Sequence, residues 1–203
     1  MIKKLQTFGL LLSAAAIVAV PGLALAECSV TGNIEASMSN DDMLPMYMYT
    51  MTVTWDMDSP HGLSHLDLIV DMQGGTCDCS DFYEAIHFES YAGSSDGEYD
   101  CTVDYMGFIE CGGDPSIPGV DGILFKFEPD ETGGCEPGPM GTGTFVFYSD
   151  LAPVPVDSQF LAMVDKAGQE SCSGSITGVF PGMACDPVPT VERSMDGLKS
   201  LYR

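Results

Sequence analysis

The sequence predicts an all-β fold: a disulfide-bonded antiparallel β-sandwich in a single domain, followed by a short C-terminal tail. Three observations carry that expectation. Apolar and polar residues alternate with a period of two through several short stretches, the pattern of half-buried strands. Turn-forming clusters separate those stretches, drawn from 23 Gly and 13 Pro. Eight cysteines follow an export-type leader, and no amphipathic helix of ordinary length breaks the run of strands, which argues against a βαβ enzyme fold.

Residues 1–26 read as a signal peptide. Lys3 and Lys4 open it, residues 8–20 are apolar, Pro21 and Gly22 break the run, and Ala24-Leu25-Ala26 is an A-x-A cleavage site. A retained membrane anchor is the alternative, but the apolar run is short for a bilayer span. Beyond it, residues 27–186 form the predicted β domain and residues 187–203 a linker and tail. No other segment is apolar enough to cross a membrane.

The domain opens with a strand over residues 28–37. Its clearest signal is residues 46–72. There Tyr47, Tyr49, Met51, Val53 and Trp55 alternate with Met46, Met48, Thr50, Thr52 and Thr54, placing the aromatic side inward. A turn over residues 56–62 follows. A second strand then sets Leu66, Leu68, Val70 and Met72 against His65, Asp67, Ile69 and Asp71. Residues 82–91 are expected as a strand, although an Ala-Ile run within them has helical character. Cys101, Val103, Tyr105, Ile109 and Cys111 share one face. Ile123, Phe125 and Phe127 share another, with Lys126 opposite. Phe145 and Phe147 mark a strand, Phe160, Ala162 and Val164 the next, and residues 173–180 the last. Turns fall at residues 112–119, 129–143, 150–155 and 181–189.

Net charge is −23 from 7 basic and 30 acidic residues. Removing the leader takes two basic residues with it and leaves −25. Nucleic acids and anionic membranes demand a basic surface, so neither is an expected partner. Cations, basic partners or simple solubility remain.

An even count of cysteines behind an export signal implies four disulfides among Cys28, Cys77, Cys79, Cys101, Cys111, Cys135, Cys172 and Cys185. Connectivity is open. Cys77 and Cys79 are too close to bond each other without strain. Cys101 with Cys111 and Cys172 with Cys185 are the expected pairs, since each bounds a short segment. A zinc site is the competing use of cysteine, but C-D-C is not C-x-x-C.

Several candidate sites compete. Asp96, Glu98 and Asp100 alternate beside glycines and serines, and Asp114, Asp121, Glu128, Asp130 and Glu131 crowd neighbouring loops. Hard oxygen ligands on loops make Ca²⁺ the candidate cofactor, with Asp96, Glu98 and Asp100 as its ligands. Such residues also simply make turns. Gly93-Ser94-Ser95-Asp96-Gly97 fits G-x-S-x-G, which would make Ser95 a nucleophile with His61, His65 or His87 as base. A strand follows where that motif needs a helix. His61 and His65 have the spacing of a helical metal pair, but Pro60 and Gly62 oppose a helix. His65 is expected to hold a backbone group or a turn. Met43, Met46, Met48 and Met51 could supply thioethers to Cu(I), against the ordinary role of Met as core filler. Tyr83, Tyr91, Tyr99 and Tyr105 are candidates for a sugar-binding row, although alternation buries Tyr105.

Leu63-Ser64-His65, followed by an apolar strand and a cysteine, resembles the L-S-H motif of a family of secreted bacterial and fungal β-sandwich domains. Gly122-Ile123-Leu124-Phe125-Lys126-Phe127-Glu128 is similar to that family's G-I-K-F strand, with two residues between Gly122 and Phe125. Thr144-Phe145-Val146-Phe147 is similar to its T-F-x-F strand, and Val164-Asp165-Lys166-Ala167-Gly168 to its V-x-K-x-G hairpin. Ile176-Thr177-Gly178 with Cys185 is similar to its closing I-T-G-P-x-C, with Val179-Phe180 before the proline. The likeness spans residues 47–185 and implies an extracellular β-sandwich without known catalysis.

The tail carries three of the five basic residues left after cleavage: Arg193, Lys199 and Arg203. Gly197, Lys199, Leu201, Tyr202 and Arg203 resemble the T-W-G-x-x-K-x-L-Y-R ending of exported Gram-negative-type proteins, with Ser194 and Met195 where Thr and Trp would stand. That likeness implies a sorting or attachment tag; an end docked on the acidic body is the alternative.

The expected function is therefore that of a non-enzymatic exported protein, a binding or structural module of the cell surface or extracellular matrix. Its partner would be a surface glycan or a protein. A carbohydrate-binding module and a secreted serine hydrolase are the alternatives.

Overall fold

The structure, a computed structural model, describes residues 28–57, 60–70, 77–117, 122–165 and 171–183. The signal peptide, Asp121, Cys185 and the C-terminal tail lie outside the described residues.

Among the described residues nine strands form one sheet: β1 Ser29–Met38, β2 Tyr47–Asp56, β3 Leu63–Ile69, β4 Gly93–Asp96, β5 Thr102–Cys111, β6 Ile123–Pro129, β7 Met140–Ser149, β8 Pro153–Asp165 and β9 Ser171–Pro181. Their order around the sheet is β1-β2-β7-β4-β5-β6-β3-β8-β9, and the sheet closes on itself. The fold is all-β, but it is a barrel rather than a sandwich. Closure comes from β1 and β9, which pair in parallel from Thr31 opposite Ser175 to Ile34 opposite Gly178. All other strand pairs are antiparallel. Both architectures alternate inward and outward residues along each strand, so alternation cannot distinguish them. Gly178 has φ +113°, and a Cβ there would strike the backbone of Ile34. Glycine thus permits the close approach at the seam.

The β2 pattern holds from Tyr49 to Trp55, while Tyr47 is half-buried. Tyr49, Met51, Val53 and Trp55 are buried and Thr52 and Thr54 are exposed. Leu66 and Leu68 of β3 enter the same interior, as do Phe125 and Phe127 of β6. Aromatic rings fill much of the barrel. Tyr49 stacks on Phe147 with centroids 5.1 Å apart, and Phe125 meets Phe82, Phe88, Phe147 and Phe180. On β5, the inward position between Tyr105 and Ile109 is Gly107, where a Cβ would sit 2.6 Å from the Phe88 ring. The polar ends of buried aromatics find carbonyls: Tyr49 donates to Leu151 O at 2.7 Å and Trp55 Nε1 to Gly138 O at 3.2 Å.

Residues 82–91 are not a strand. Cys79–Ala85 form a helix, α1. Asp78 caps it by accepting from Ser80 and Asp81 N–H, while the Asp81 carboxylate returns a bond to Asp78 N–H. The helical character of the Ala-Ile run prevails up to Ala85, and β geometry resumes at Ile86 and His87. β4 was missed as a strand, and β8 begins at Pro153 inside the expected turn at 150–155.

Three disulfides link distant elements: Cys28–Cys172, Cys79–Cys111 and Cys101–Cys135. Cys77 is also disulfide-bonded. The expected Cys101–Cys111 and Cys172–Cys185 pairs are corrected. Short sequence separation was the wrong criterion, because the fold brings residues 144 positions apart within bonding reach. The first bridge fastens the start of β1 to β9 beside the closing seam. The second pins α1 to the end of β5, and the third ties the β4–β5 turn to the segment before β7. Among the described residues no helix is long and apolar enough to cross a membrane.

Candidate functional site

β3 is buried on both faces. Leu66 and Leu68 point into the barrel, so His65 and Asp67 point out of it, yet His65 is only 5 % exposed and Asp67 0 %. The register slips between Leu63 and His65, which lets Leu63 also join the core. The outer face is covered by the loop that leaves β5. Gly112 and Gly113 both take positive φ and both donate N–H to Gly122 O at 2.8 Å. The loop then delivers Asp114, 3 % exposed, and Ile117, which packs with Val164 and Ile69 outside the barrel.

Six ionisable side chains meet where that loop lies against β3 and β6. Lys126 of β6 lies directly opposite Asp67 in the ladder. It is the only Lys or Arg among the described residues. Its Nζ reaches Asp114 Oδ2 at 2.7 Å, Glu128 Oε1 at 3.2 Å and Glu110 Oε2 at 3.4 Å. Asp114 Oδ1 also accepts from Ser116 N–H at 2.6 Å. His65 Nε2 stands 3.3 Å from Asp114 Oδ2 and 3.6 Å from Asp67 Oδ2, and its Nδ1 faces Ser64 Oγ at 3.3 Å.

The two aspartates are treated in opposite ways. Burial pushes the Asp67 carboxyl up, and Asp114 beside it pushes further, to about 8. Burial would raise Asp114 too, but the bonds from Lys126 and Ser116 outweigh it and hold the group at about 2. Burial would lower Lys126, and its bonds to Asp114 and Glu128 raise it instead. Burial, then Lys126, lower His65, favouring the neutral imidazole. His65 Nε2 and both Asp67 oxygens are buried without a hydrogen-bond partner. Among the described residues, His65, Asp67 and Asp114 are the one trio whose ligand atoms lie within 4.8 Å of one another.

The residues singled out from sequence are scattered. Asp96, Glu98 and Asp100 sit on the β4–β5 turn, where Tyr99 and Asp100 both have positive φ, and they form no such trio. Glu128 joins the buried cluster through Lys126, whereas Asp130 caps the backbone of Thr132. Ser95 lies within β4, not at a strand-to-helix turn, and its hydroxyl bonds Tyr105 OH at 2.9 Å and Asp96 O at 3.1 Å. His61 is exposed ahead of β3, and His87 pairs with Glu89 at 3.2 Å. His65 was expected to hold a backbone group or a turn; its ring neighbours are instead two carboxylates and the adjacent Ser64 hydroxyl. Met51 is in the core while Met43 and Met46 are exposed, so the methionines do not share a face. Tyr105 is buried as expected, and Tyr83, Tyr91 and Tyr99 are 60 %, 62 % and 94 % exposed. Tyr83 donates to Ile109 O at 2.9 Å.

Sequence reasoning missed Asp67. The readable signal was an acid facing outward on an apolar strand, in a domain with almost no bases. A separate open groove of about 710 Å³ is lined in part by Pro45, Asp81, Tyr83, Glu84, His87 and Asp150. No protein-family model matches the chain, and no curated protein matches it.

Proposed function

We propose that this chain is a non-enzymatic exported protein, a binding or structural module of the cell surface or extracellular matrix. The observation that carries the reading is covalent. Every described cysteine is bonded, and the bridges span distant parts of a closed barrel. Such bonds persist in oxidising compartments and fit an extracellular protein. The acidic surface keeps it dispersed and directs it away from nucleic acids. Ser95 is held by Tyr105 inside the sheet, which supports a role without a serine nucleophile. The leader and the basic tail handle export and sorting.

Fractionating the culture that makes the protein tests this reading. The expected result is an oxidised chain in the medium or on the outer surface, beginning at Glu27. A reduced chain in the cytoplasm would overturn it.

One observation favours carbohydrate over protein as the partner. Tyr83 exposes its ring on the open groove beside Asp81, Glu84 and Asp150. An aromatic face with flanking carboxylates suits the apolar face and hydroxyls of a sugar. A glycan array probed with the wild type and Tyr83→Ala checks it. Retention lost in the variant supports a carbohydrate-binding module, and equal signals exclude this groove.

A further inference from the structure

We propose that His65, Asp67 and Asp114 form a binding site for one divalent transition-metal ion of the zinc class, held between β3 and the β5–β6 loop. This site is independent of the groove and of the proposed surface role.

The geometry is that of a ligand set. A four-coordinate ion with bonds of about 2.0–2.1 Å places its donors about 3.3 Å apart. His65 Nε2 stands 3.3 Å from Asp114 Oδ2 and 3.6 Å from Asp67 Oδ2. All three donors fall within 4.8 Å of one another.

The second observation is independent of distance. His65 Nε2, Asp67 Oδ1 and Asp67 Oδ2 are buried and have no hydrogen-bond partner. Buried polar atoms are ordinarily paired, and each orphan calls for an explanation. A hydrogen bond between the two side chains does not supply one, since 3.6 Å is beyond its reach. One cation between them satisfies both. With its proton on Nδ1, directed at Ser64 Oγ 3.3 Å away, His65 presents the Nε2 lone pair to the ion.

Charge balance agrees. Asp67, Glu110, Asp114 and Glu128 surround a single ammonium, and that ammonium pairs with the last three but not with Asp67. A dication supplies what Lys126 leaves unmet. Lys126 then acts from behind, holding Asp114 through the lone pair that the metal does not use.

The donor set selects the class of ion. One imidazole and two carboxylates in a closed space suit zinc-like ions, whereas Ca²⁺ takes six to eight oxygens and Mg²⁺ keeps several waters.

The test uses the oxidised protein stripped with EDTA and titrated with Co²⁺, then competed with Zn²⁺. One saturable equivalent is expected, with visible d–d absorption and a rise in melting temperature of several degrees. Asp67→Asn should weaken binding by more than the roughly 10–100-fold that an outer partner costs. D96N/E98Q/D100N should bind as the wild type does, which separates the site from the diffuse attraction of an acidic surface. Should Asp67→Asn fail to fold, H61Q/H87Q decides, because it leaves His65 as the only imidazole. An unchanged Co²⁺ spectrum in that variant supports the site, and loss of its nitrogen-ligand signature overturns it. Absence of a saturable equivalent in the wild type overturns the proposal, as does binding that survives Asp67→Asn but not the turn variant.

Discussion

The β4–β5 turn and the β5–β6 loop make an instructive pair. The turn carries Asp96, Glu98 and Asp100 at alternating positions; the described part of the loop contributes one carboxylate, Asp114. By density of acid the turn is the better cation site. In the fold it is the poorer one. Asp96 and Asp100 are exposed to solvent, and the turn leaves its acids without a converging partner set. Asp114 is folded down onto the outer face of β3, where it meets Asp67, His65 and Lys126. Carboxylates become a site when distant segments bring them together out of water, because charge interactions strengthen as solvent is excluded.

The loop side is most sensitive at Lys126. Lys126→Met should leave Asp114 buried without its counter-ion, costing about 3–5 kcal/mol. At about 2–4 °C per kcal/mol, that is a fall of roughly 10 °C in a thermal melt. A loss no larger than that of a surface change would mean the loop does not depend on the pair.

The next effect is a pH dependence confined to the loop side, read with chelator present. Asp67 is raised to about 8 in the folded state, against about 4 unfolded. Between those values the folded state binds more protons than the unfolded, so stability falls as pH rises from 4 to 8. Asp114, held at about 2, acts in the opposite sense and gives up its contribution only as pH falls below 4 towards 2. His65, lowered in the folded state, acts against this below about pH 6.5, so melts between about pH 6.5 and 8 should decline in the wild type and flatten in Asp67→Asn. Equal slopes in the two proteins would remove Asp67 from the account.

The turn side gives smaller effects. Tyr105→Phe removes the buried bond to Ser95, which keeps its bond to Asp96 O. A loss of about 1 kcal/mol is expected in denaturant unfolding. The smallest effect belongs to D96N/E98Q/D100N, within about 0.5 kcal/mol of the wild type. A larger change there would return the turn to consideration as a cation site.

Much of the fold was legible because strand periodicity is local. Trp55, Tyr49 and Met51 share a face by the geometry of one strand, whatever that strand later pairs with. The candidate site was half legible. Asp114, Glu128, His65 and Lys126 each attracted notice from sequence, but in separate roles. Asp67 did not, because an outward residue on a strand reads as solvated. Nothing near Asp67 in the chain announces that residues 112–117 will cover it. The disulfides follow the same rule: that the cysteines cross-link was readable, while the expected pairs failed because they were chosen by nearness in sequence.

Most of the strands, their inward faces, the acidic surface and the use of cysteine as a cross-link follow from the sequence alone. These rest on backbone stereochemistry, side-chain period and composition, which act over a few residues or over the whole chain at once. Only the tertiary structure decided that the sheet closes through β1 and β9, which cysteines meet, and which acids lie dry beside His65 and Lys126. Each of those outcomes depends on the approach of segments far apart in the chain. That approach is set by the packing of the whole barrel, and no local pattern encodes it.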